Sequence, residues 1–243
     1  MDYPVFKEEM KSSYTILIPD MLPIHFKLII NILKKYGYHV ELLQTSTRAV
    51  VDEGLKNVHN DTCYPALLVI GQFINALKSG KYDVSRTALM LTQTGGGCRA
   101  SNYIHLLRKA LKKEFPQVPV ISLNLSGLEK GSGLSLTLPL LIKVVYAVFY
   151  GDLLMSLYNQ CKPYEIHSGE SESVREKWQE KLTTIFDKRE FIKCKKYCRM
   201  ILEDFDKIER TKEKKIRVGI VGEIYVKYSP LANNHLEEFL LSE

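Results

Sequence analysis

The sequence predicts an α/β protein with a mostly parallel sheet and helices on both faces of that sheet. Two observations predict this fold class. Short apolar runs, typical of buried strands, alternate in the first half of the chain with segments whose apolar residues recur at helical spacing. Prolines and glycines also mark where several helices begin and end. The order strand–helix–strand–helix–helix–strand–helix–strand is that of a Rossmann- or flavodoxin-like lobe.

Four strands are predicted from their apolar and β-branched residues. They cover residues 14–18, 40–43, 87–93 and 118–124. The first helix extends from Pro23 to Gly37, a weaker second helix covers residues 47–58, and the third extends from Pro65 to Gly80. The fourth helix follows a glycine-rich turn, and its apolar face consists of Ile104, Leu107, Ala110 and Leu111. Because ligands of parallel sheets bind at the carboxyl ends of the strands, we expect a site at that edge.

The second half of the chain is predicted to be helical, followed by one further strand. Residues 137–158 are predicted to form a long, mostly buried helix, and residues 173–210 one helix or a broken pair. The run IRVGIV at 216–221 has the composition of a buried strand, and a helix begins near Asn233. We therefore divide the chain into an α/β lobe (1–135), a helical segment (136–214) and a final strand and helix (215–243). The last part either completes the first sheet or begins a truncated second α/β lobe.

Composition limits the classes of function. The net charge of +6 is mild and forms no basic stripe interleaved with aromatic residues, so we expect no nucleic-acid partner. The longest apolar run, residues 138–150, contains Lys143 and is too short to span a membrane. The chain has five cysteines and no signal peptide, which predicts a cytoplasmic protein whose cysteines are free, catalytic or metal-bound.

The glycine-rich turn is the first candidate site. Gly95, Gly96 and Gly97 expose consecutive amide N–H groups, and Cys98 and Arg99 follow directly before a predicted helix. That setting favours a thiolate, which serves as a nucleophile or as a metal ligand. The turn matches neither nucleotide-binding fingerprint. A tight turn with a buried, inert cysteine is an equally good interpretation of these residues alone.

Cys63 stands in the same local setting, because Pro65 opens a helix directly after it. Two thiolates at helix N-termini suit an anionic metal cluster, since backbone N–H groups point towards it. Two cysteines are too few for a complete four-cysteine site. Further ligands must come from elsewhere in the chain, from additional sequence or from a second subunit.

The remaining candidates have simpler interpretations. Cys194 and Cys198 share one face of a predicted helix but lack the second pair of a zinc site, so we interpret them as surface or packing residues. Cys161 is interpreted as a lone loop cysteine without a functional role. Asp61 and Glu223 are interpreted as polar caps at helix or strand ends. The six histidines include no HxH or HExxH pattern, and His105, on the fourth helix, is interpreted as a solvated or core residue.

The motifs NDTCYPALLVIGQ, QTGGGCRASNYIHLLRKAL and VGIVGEIYVKYSP resemble the 2-hydroxyacyl-CoA dehydratase family, more closely its activase-related branch. The resemblance extends from about Ile16 to the end and implies that the chain is part of a larger protein. It implies an oxygen-sensitive iron–sulfur cluster, of the 4Fe–4S kind, with Cys63 and Cys98 among its ligands. It also implies low-potential electron transfer driven by ATP hydrolysis in a separate activator module or protein. This chain lacks the activator's ATPase motifs.

These inferences lead to one main hypothesis and two alternatives. The main hypothesis is an iron–sulfur component in which Gly95 to Gly97 donate N–H groups to the cluster and Arg99 offsets its charge. A second lobe or subunit would complete the site, and no nucleic acid or membrane is a partner. The first alternative is a metal-free α/β binding or scaffold domain whose glycine turn holds a small anion or a partner segment. The second is an enzyme with Cys98 as nucleophile, for which the sequence shows no base.

Overall fold

The structure is a computed structural model that describes residues 3–59, 61–93, 102–124 and 134–243. Its sheet has four strands, all parallel, in the order β2-β1-β3-β4. The strands are β1 (Thr15–Pro19), β2 (His39–Leu43), β3 (Thr87–Gln93) and β4 (Val120–Asn124). The predicted α/β fold class, with a Rossmann- or flavodoxin-like parallel sheet flanked by helices, is therefore confirmed.

Ten α-helices occur in the described part of the chain. They are α1 (Pro23–Lys35), α2 (Arg48–Asn57), α3 (Tyr64–Lys78), α4 (Tyr103–Glu114), α5 (Leu138–Cys161), α6 (Glu170–Asp187), α7 (Cys194–Asp206), α8 (Ile224–Tyr228), α9 (Pro230–Asn233) and α10 (Leu236–Ser242). Pro23 and Pro65 stand in the first turns of α1 and α3, as predicted. Gly37 and Gly80 follow these two helices with φ values of 87° and 73°, a left-handed conformation that glycine adopts without steric cost.

The strand order places a switch point at the carboxyl ends of β1 and β3. From β1 the chain moves to β2 on one side and then crosses over to β3 on the other side. The crossover connections therefore diverge between β1 and β3, which leaves a crevice there in sheets of this class. Asp20 follows β1 directly, and the predicted glycine-rich turn follows β3.

Two compact units divide the chain differently from the predicted domains. The first unit contains Met1–Met21, Gly37–Ser135 and Glu223–His235, and the second contains Leu22–Tyr36, Leu136–Gly222 and Leu236–Glu243. Helix α1 belongs to the second unit because its apolar face packs against α5 and α6. Helices α8 and α9 belong to the first unit, whose core includes Tyr225, Leu231 and Ala232.

The core of the first unit is organised around α3, which is buried along nearly its whole length. Helix α2 approaches α3 closely at two glycines. A Cβ atom at Gly71 would lie 2.1 Å from the main-chain oxygen of Val50, and one at Gly54 would lie 2.4 Å from that of Leu67. This contact requires glycine at both positions because real Cβ atoms do not approach an oxygen so closely.

The second unit is a helical assembly built on α5. Trp178 and Tyr150 are fully buried in it, and Phe186 and Phe191 stack with ring centroids 5.3 Å apart. The predicted helix over 173–210 is a broken pair, α6 and α7. The chain turns between them at Arg189, which has a left-handed φ of 55°. A non-glycine residue in this conformation interrupts a helix.

The prediction of a strand at residues 216–221 is wrong. The structure has no regular secondary structure there, and Ile216 and Val221 are 92% and 90% exposed. The segment therefore does not complete the first sheet. A strand needs a neighbouring strand for its N–H and C=O groups, and no described strand pairs with these residues. Composition predicted a buried strand, but pairing is decided by the tertiary structure.

Helix α5 extends beyond the apolar run, residues 138–150, that was considered too short to span a membrane. With the turn that follows, it covers Leu138–Tyr164 and is, among the described residues, the one helix that is long and apolar enough to cross a membrane. The argument from length is therefore wrong. The prediction that this helix is mostly buried is also wrong: helix α5 is only partly buried, with Leu140, Ala147 and Tyr150 inside the second unit. Because long core helices have the same length and composition, these properties alone do not place α5 in a membrane. The α/β fold is of the kind found in soluble proteins.

Candidate functional site at the carboxyl edge of the sheet

Five of the six predicted site residues lie outside the described residues. Gly95, Gly96, Gly97, Cys98 and Arg99 all belong to the segment between β3 and α4 that the structure does not describe. The roles predicted for them stay predictions. The elements on both sides of this segment are described, and so is Cys63.

Cys63 precedes α3 directly, as the sequence predicted. It is the N-cap residue of that helix, with an extended backbone (φ −62°, ψ 146°), and its main-chain oxygen accepts hydrogen bonds from Ala66 and Leu67. Its thiol is partly exposed and makes no side-chain capping bond. The sulfur is therefore available at the N-terminal end of a buried helix, where backbone N–H groups favour negative charge.

The structure brings a tyrosine to Cys63. The Oη atom of Tyr103, the first residue of α4, lies 2.8 Å from the Sγ atom of Cys63. A phenol hydroxyl donates to a thiolate and also accepts from a thiol, so this contact suits both protonation states of Cys63. Sequence reasoning missed Tyr103, since an aromatic residue at the start of an amphipathic helix carries no signal of a long-range contact.

Asp20 is a buried carboxyl group at the end of β1. Asp20 is 6% exposed, and its Oδ1 atom has no hydrogen-bond partner among the described residues. Burial raises the pKa of Asp20 to about 6, and a hydrogen bond with the Gln44 side chain opposes the rise. An acid of this kind changes its charge just below neutral pH, which is a property common in ligand-binding and catalytic sites.

Tyr225 and Ser229, from α8 and the residue before α9, lie beside Asp20. The Ser229 hydroxyl donates to the main-chain oxygen of Asp20 over 3.1 Å. Burial raises the pKa of Tyr225 to about 12, the Ser229 hydroxyl opposes the rise, and the charges of Asp20 and Glu223 add to it. The Oη atom of Tyr225 is buried and has no partner with hydrogen-bond geometry in the described part of the chain. Such buried, unpaired polar atoms require an explanation.

Gln72 holds the loop that presents Gln44 to Asp20. Its buried side-chain amide donates to the main-chain oxygens of Leu43 and Thr45, over 3.0 Å in each case. The two acceptors flank Gln44, so α3 fixes the chain on both sides of that residue. Sequence reasoning missed Asp20, Gln72, Tyr225 and Ser229. A polar residue within the apolar run of α3 was the one available signal, at Gln72.

The other candidate residues from the sequence either have structural roles or do not belong to a site in the described part of the chain. The Glu223 carboxylate accepts a hydrogen bond from the main-chain N–H of Val226 and caps α8, as one interpretation predicted. Asp61 is exposed and pairs with His59 at 3.3 Å. His105 is exposed on α4. Cys161 is the last residue of α5 and is buried, so its predicted loop position is wrong. Burial raises the pKa of its thiol, and the nearby Arg210 opposes the rise.

The described residues do not by themselves form a metal centre. No group of three or more His, Cys, Asp or Glu side chains in the described ranges could hold a metal ion. Cys63 fits the chemistry of one cluster ligand because its thiol is accessible and has a hydroxyl donor beside it. A complete site needs Cys98 and further ligands.

The fold and this edge define the chain as an α/β protein with a parallel sheet and a candidate site at the switch point between β1 and β3. Comparison with protein-family models, with curated proteins and with solved structures gave no match. The fold class is therefore established by the architecture alone. Any function has to be argued from the residues at the edge.

Proposed function

We propose that this chain is an iron–sulfur-cluster-binding, dehydratase-like component that takes part in low-potential electron transfer linked to acyl-CoA or similar reductive chemistry. Cys63 and Cys98 are the proposed cluster ligands. The observation that supports this function is the contact of 2.8 Å between the Cys63 sulfur and the Tyr103 hydroxyl. It brings the helix after Cys63 together with the helix that follows the Cys98 turn.

The contact supports the proposal through the chain connectivity. Tyr103 begins α4, and the Cys98 turn immediately precedes that helix in the sequence. Gln93, on the other side of the turn, ends β3 at the carboxyl edge of the sheet. Both flanking elements thus lead to the edge where ligands of this fold class bind. A hydroxyl beside the sulfur also suits a ligand of an anionic cluster, whose potential depends on hydrogen bonds to its sulfurs.

The protein supplies binding and electrostatics, and the cluster, when bound, supplies one-electron transfer. The α3 N-terminus and the Tyr103 hydroxyl place partial positive charge at the Cys63 sulfur. Two cysteines leave the cluster incomplete, so a second lobe or subunit provides the remaining ligands. ATP hydrolysis belongs to a separate activator module or protein.

Anaerobic reconstitution tests this function. Iron and acid-labile sulfide are measured on the wild-type chain, on Cys63→Ser and on Cys98→Ser, with Cys161→Ser as the control because Cys161 is buried in the other unit. With a second subunit supplying the remaining ligands, we expect iron and sulfide in the wild type and in the control and a large loss in each of the other variants. Equal iron contents in all four proteins would exclude Cys63 and Cys98 as ligands.

A metal-free binding domain is the second candidate function. The buried group of Asp20, Tyr225 and Ser229 favours it, since the Oδ1 and Oη atoms of the first two lack partners among the described residues. A polar ligand or an ordered water bound there would satisfy both atoms. A colourless protein that takes up no iron under anaerobic conditions would support this function over the first.

A further inference from the structure

The second unit contains a pair of thiols that the proposed function does not use. Cys194 is the first residue of α7, and Cys198 follows one helical turn later. Both are partly exposed free thiols. Residues four positions apart on a helix have Cβ atoms about 5–6 Å apart, so the two side chains share one face. The sequence alone favoured surface or packing residues at these positions.

The structure adds polar groups around this pair. Tyr150 from α5 donates its hydroxyl to the main-chain oxygen of Phe191 over 2.9 Å, and the same hydroxyl lies 3.6 Å from the Sγ atom of Cys194. The Cys194 thiol lies 3.6 Å from the Phe191 oxygen, to which it donates. The Cys194 side chain is thus positioned by α5 and by the turn before α7. The groups around the Cys194 sulfur are polar, unlike those around a residue in a purely apolar packing contact.

We propose that Cys194 and Cys198 form a two-thiolate site for a soft monovalent metal ion of the copper(I) class. The ligand number selects the ion. Among the described residues no third His, Cys, Asp or Glu side chain joins the pair, so these residues by themselves supply two thiolates and not the four ligands of a structural zinc site. Thiolates select soft ions such as copper(I). A metal ion bound between two thiolates suits side chains one helical turn apart, whose Cβ atoms are about 5–6 Å from each other.

This site is independent of the proposed cluster and is tested without it. The protein used is the whole 243-residue chain with the substitutions Cys63→Ser and Cys98→Ser, which remove the other candidate ligands. Copper(I) is titrated into this protein under anaerobic conditions in competition with a colorimetric chelator. We expect one equivalent of copper(I) to be bound. Adding Cys194→Ser or Cys198→Ser should weaken binding by at least about 100-fold, because loss of a direct ligand costs more than the 10–100-fold loss typical of outer-shell partners.

Cys161→Ser is the matched control, because Cys161 is a lone buried thiol in the same unit, and we expect it to leave copper binding unchanged. Thermal unfolding monitored by circular dichroism checks that each variant is folded. A measurement on the wild-type chain needs no substitution: copper(I) should protect Cys194 and Cys198 together from alkylation, as read by mass spectrometry. Protection of one of them alone, or of neither, would overturn the proposal, as would equal copper binding by all variants.

Discussion

The sulfur of Cys63 and the hydroxyl of Tyr103 lie 2.8 Å apart, so the N-terminal ends of α3 and α4 meet at one point. Each helix follows a cysteine-containing segment of the chain. The contact therefore connects the described candidate ligand with the helix after the segment that contains Cys98.

Removing the Tyr103 hydroxyl tests this contact. We expect Tyr103→Phe to lower the free energy of unfolding by about 1 kcal/mol, the usual net contribution of one hydrogen bond. In the reconstituted protein it should also speed the loss of iron to a chelator, since a donor to the ligand sulfur is lost. Urea denaturation and chelator kinetics measure the two effects. Tyr64→Phe, an exposed tyrosine next to Cys63, is the control. Identical iron release in both variants would mean that Tyr103 has no role at the site.

Asp20 should make the protein less stable as the pH rises. Its pKa in the folded state, about 6, lies above its ordinary value of 3.8. The folded state therefore binds more protons between these values, and stability is full below pH 3.8 and declines as the pH rises through 6. The difference of about two units between these pKa values corresponds to about 3 kcal/mol in the free energy of unfolding.

We expect Asp20→Asn, which stays neutral, to unfold at higher urea concentration than the wild type at pH 7.5 and to remove this pH dependence. Urea denaturation at several pH values between 4 and 7.5 measures the effect. Asp61→Asn, at an exposed carboxylate, is the control. A wild-type pH profile that persists in Asp20→Asn would contradict the assignment.

Glu165 has the opposite pH dependence. Burial alone would raise its pKa, but hydrogen bonds from the Lys162 ammonium and from the main-chain N–H groups of Gly169 and Ser171 lower it to about 2. The stabilisation is present above the ordinary pKa of 4.5 and is lost as the pH falls towards 2. The side chain is 4% exposed, so the contribution is about 3 kcal/mol.

Glu165→Gln should therefore unfold more easily at pH 7 and lose less stability on acidification than the wild type. Acid titration followed by circular dichroism provides the measurement. Glu172→Gln removes a half-exposed carboxylate on α6 and should change little. An unchanged unfolding midpoint for Glu165→Gln at pH 7 would show that the bonds to Gly169 and Ser171 do not depend on the charge.

Gly71 tests the packing of α3 against α2. We expect Gly71→Ala to destabilise the first unit by about 3 kcal/mol, because its Cβ atom would lie 2.1 Å from the Val50 oxygen and the helices would have to separate. Gly219→Ala is the control, since a Cβ atom there meets nothing within 4 Å. Thermal unfolding compares the two. A melting temperature equal to that of the control would mean that the helices adjust without cost.

Much of the candidate site could not be predicted from the sequence. The position of Cys63 directly before a helix was predicted correctly because a proline two residues later marks a helix start, and such a signal is local. Asp20 and Ser229 stand 209 positions apart, and their hydrogen bond depends on the return of α8 and α9 to the first unit. Periodicity and composition are local properties of the sequence, and they do not predict a contact between residues so far apart in the chain.

Four of the five predicted strands and most helix boundaries follow from the sequence alone, because apolar periodicity, proline and glycine act over a few residues. The tertiary structure alone decided which unit each element joins. Helix α1 belongs to the second unit, and not to the predicted lobe, because its apolar face is buried against α5 and α6. Residues 216–221 have the composition of a strand but lack a strand to pair with in the described sheet. Backbone pairing and burial need a partner surface, and a partner surface exists only once the chain has folded.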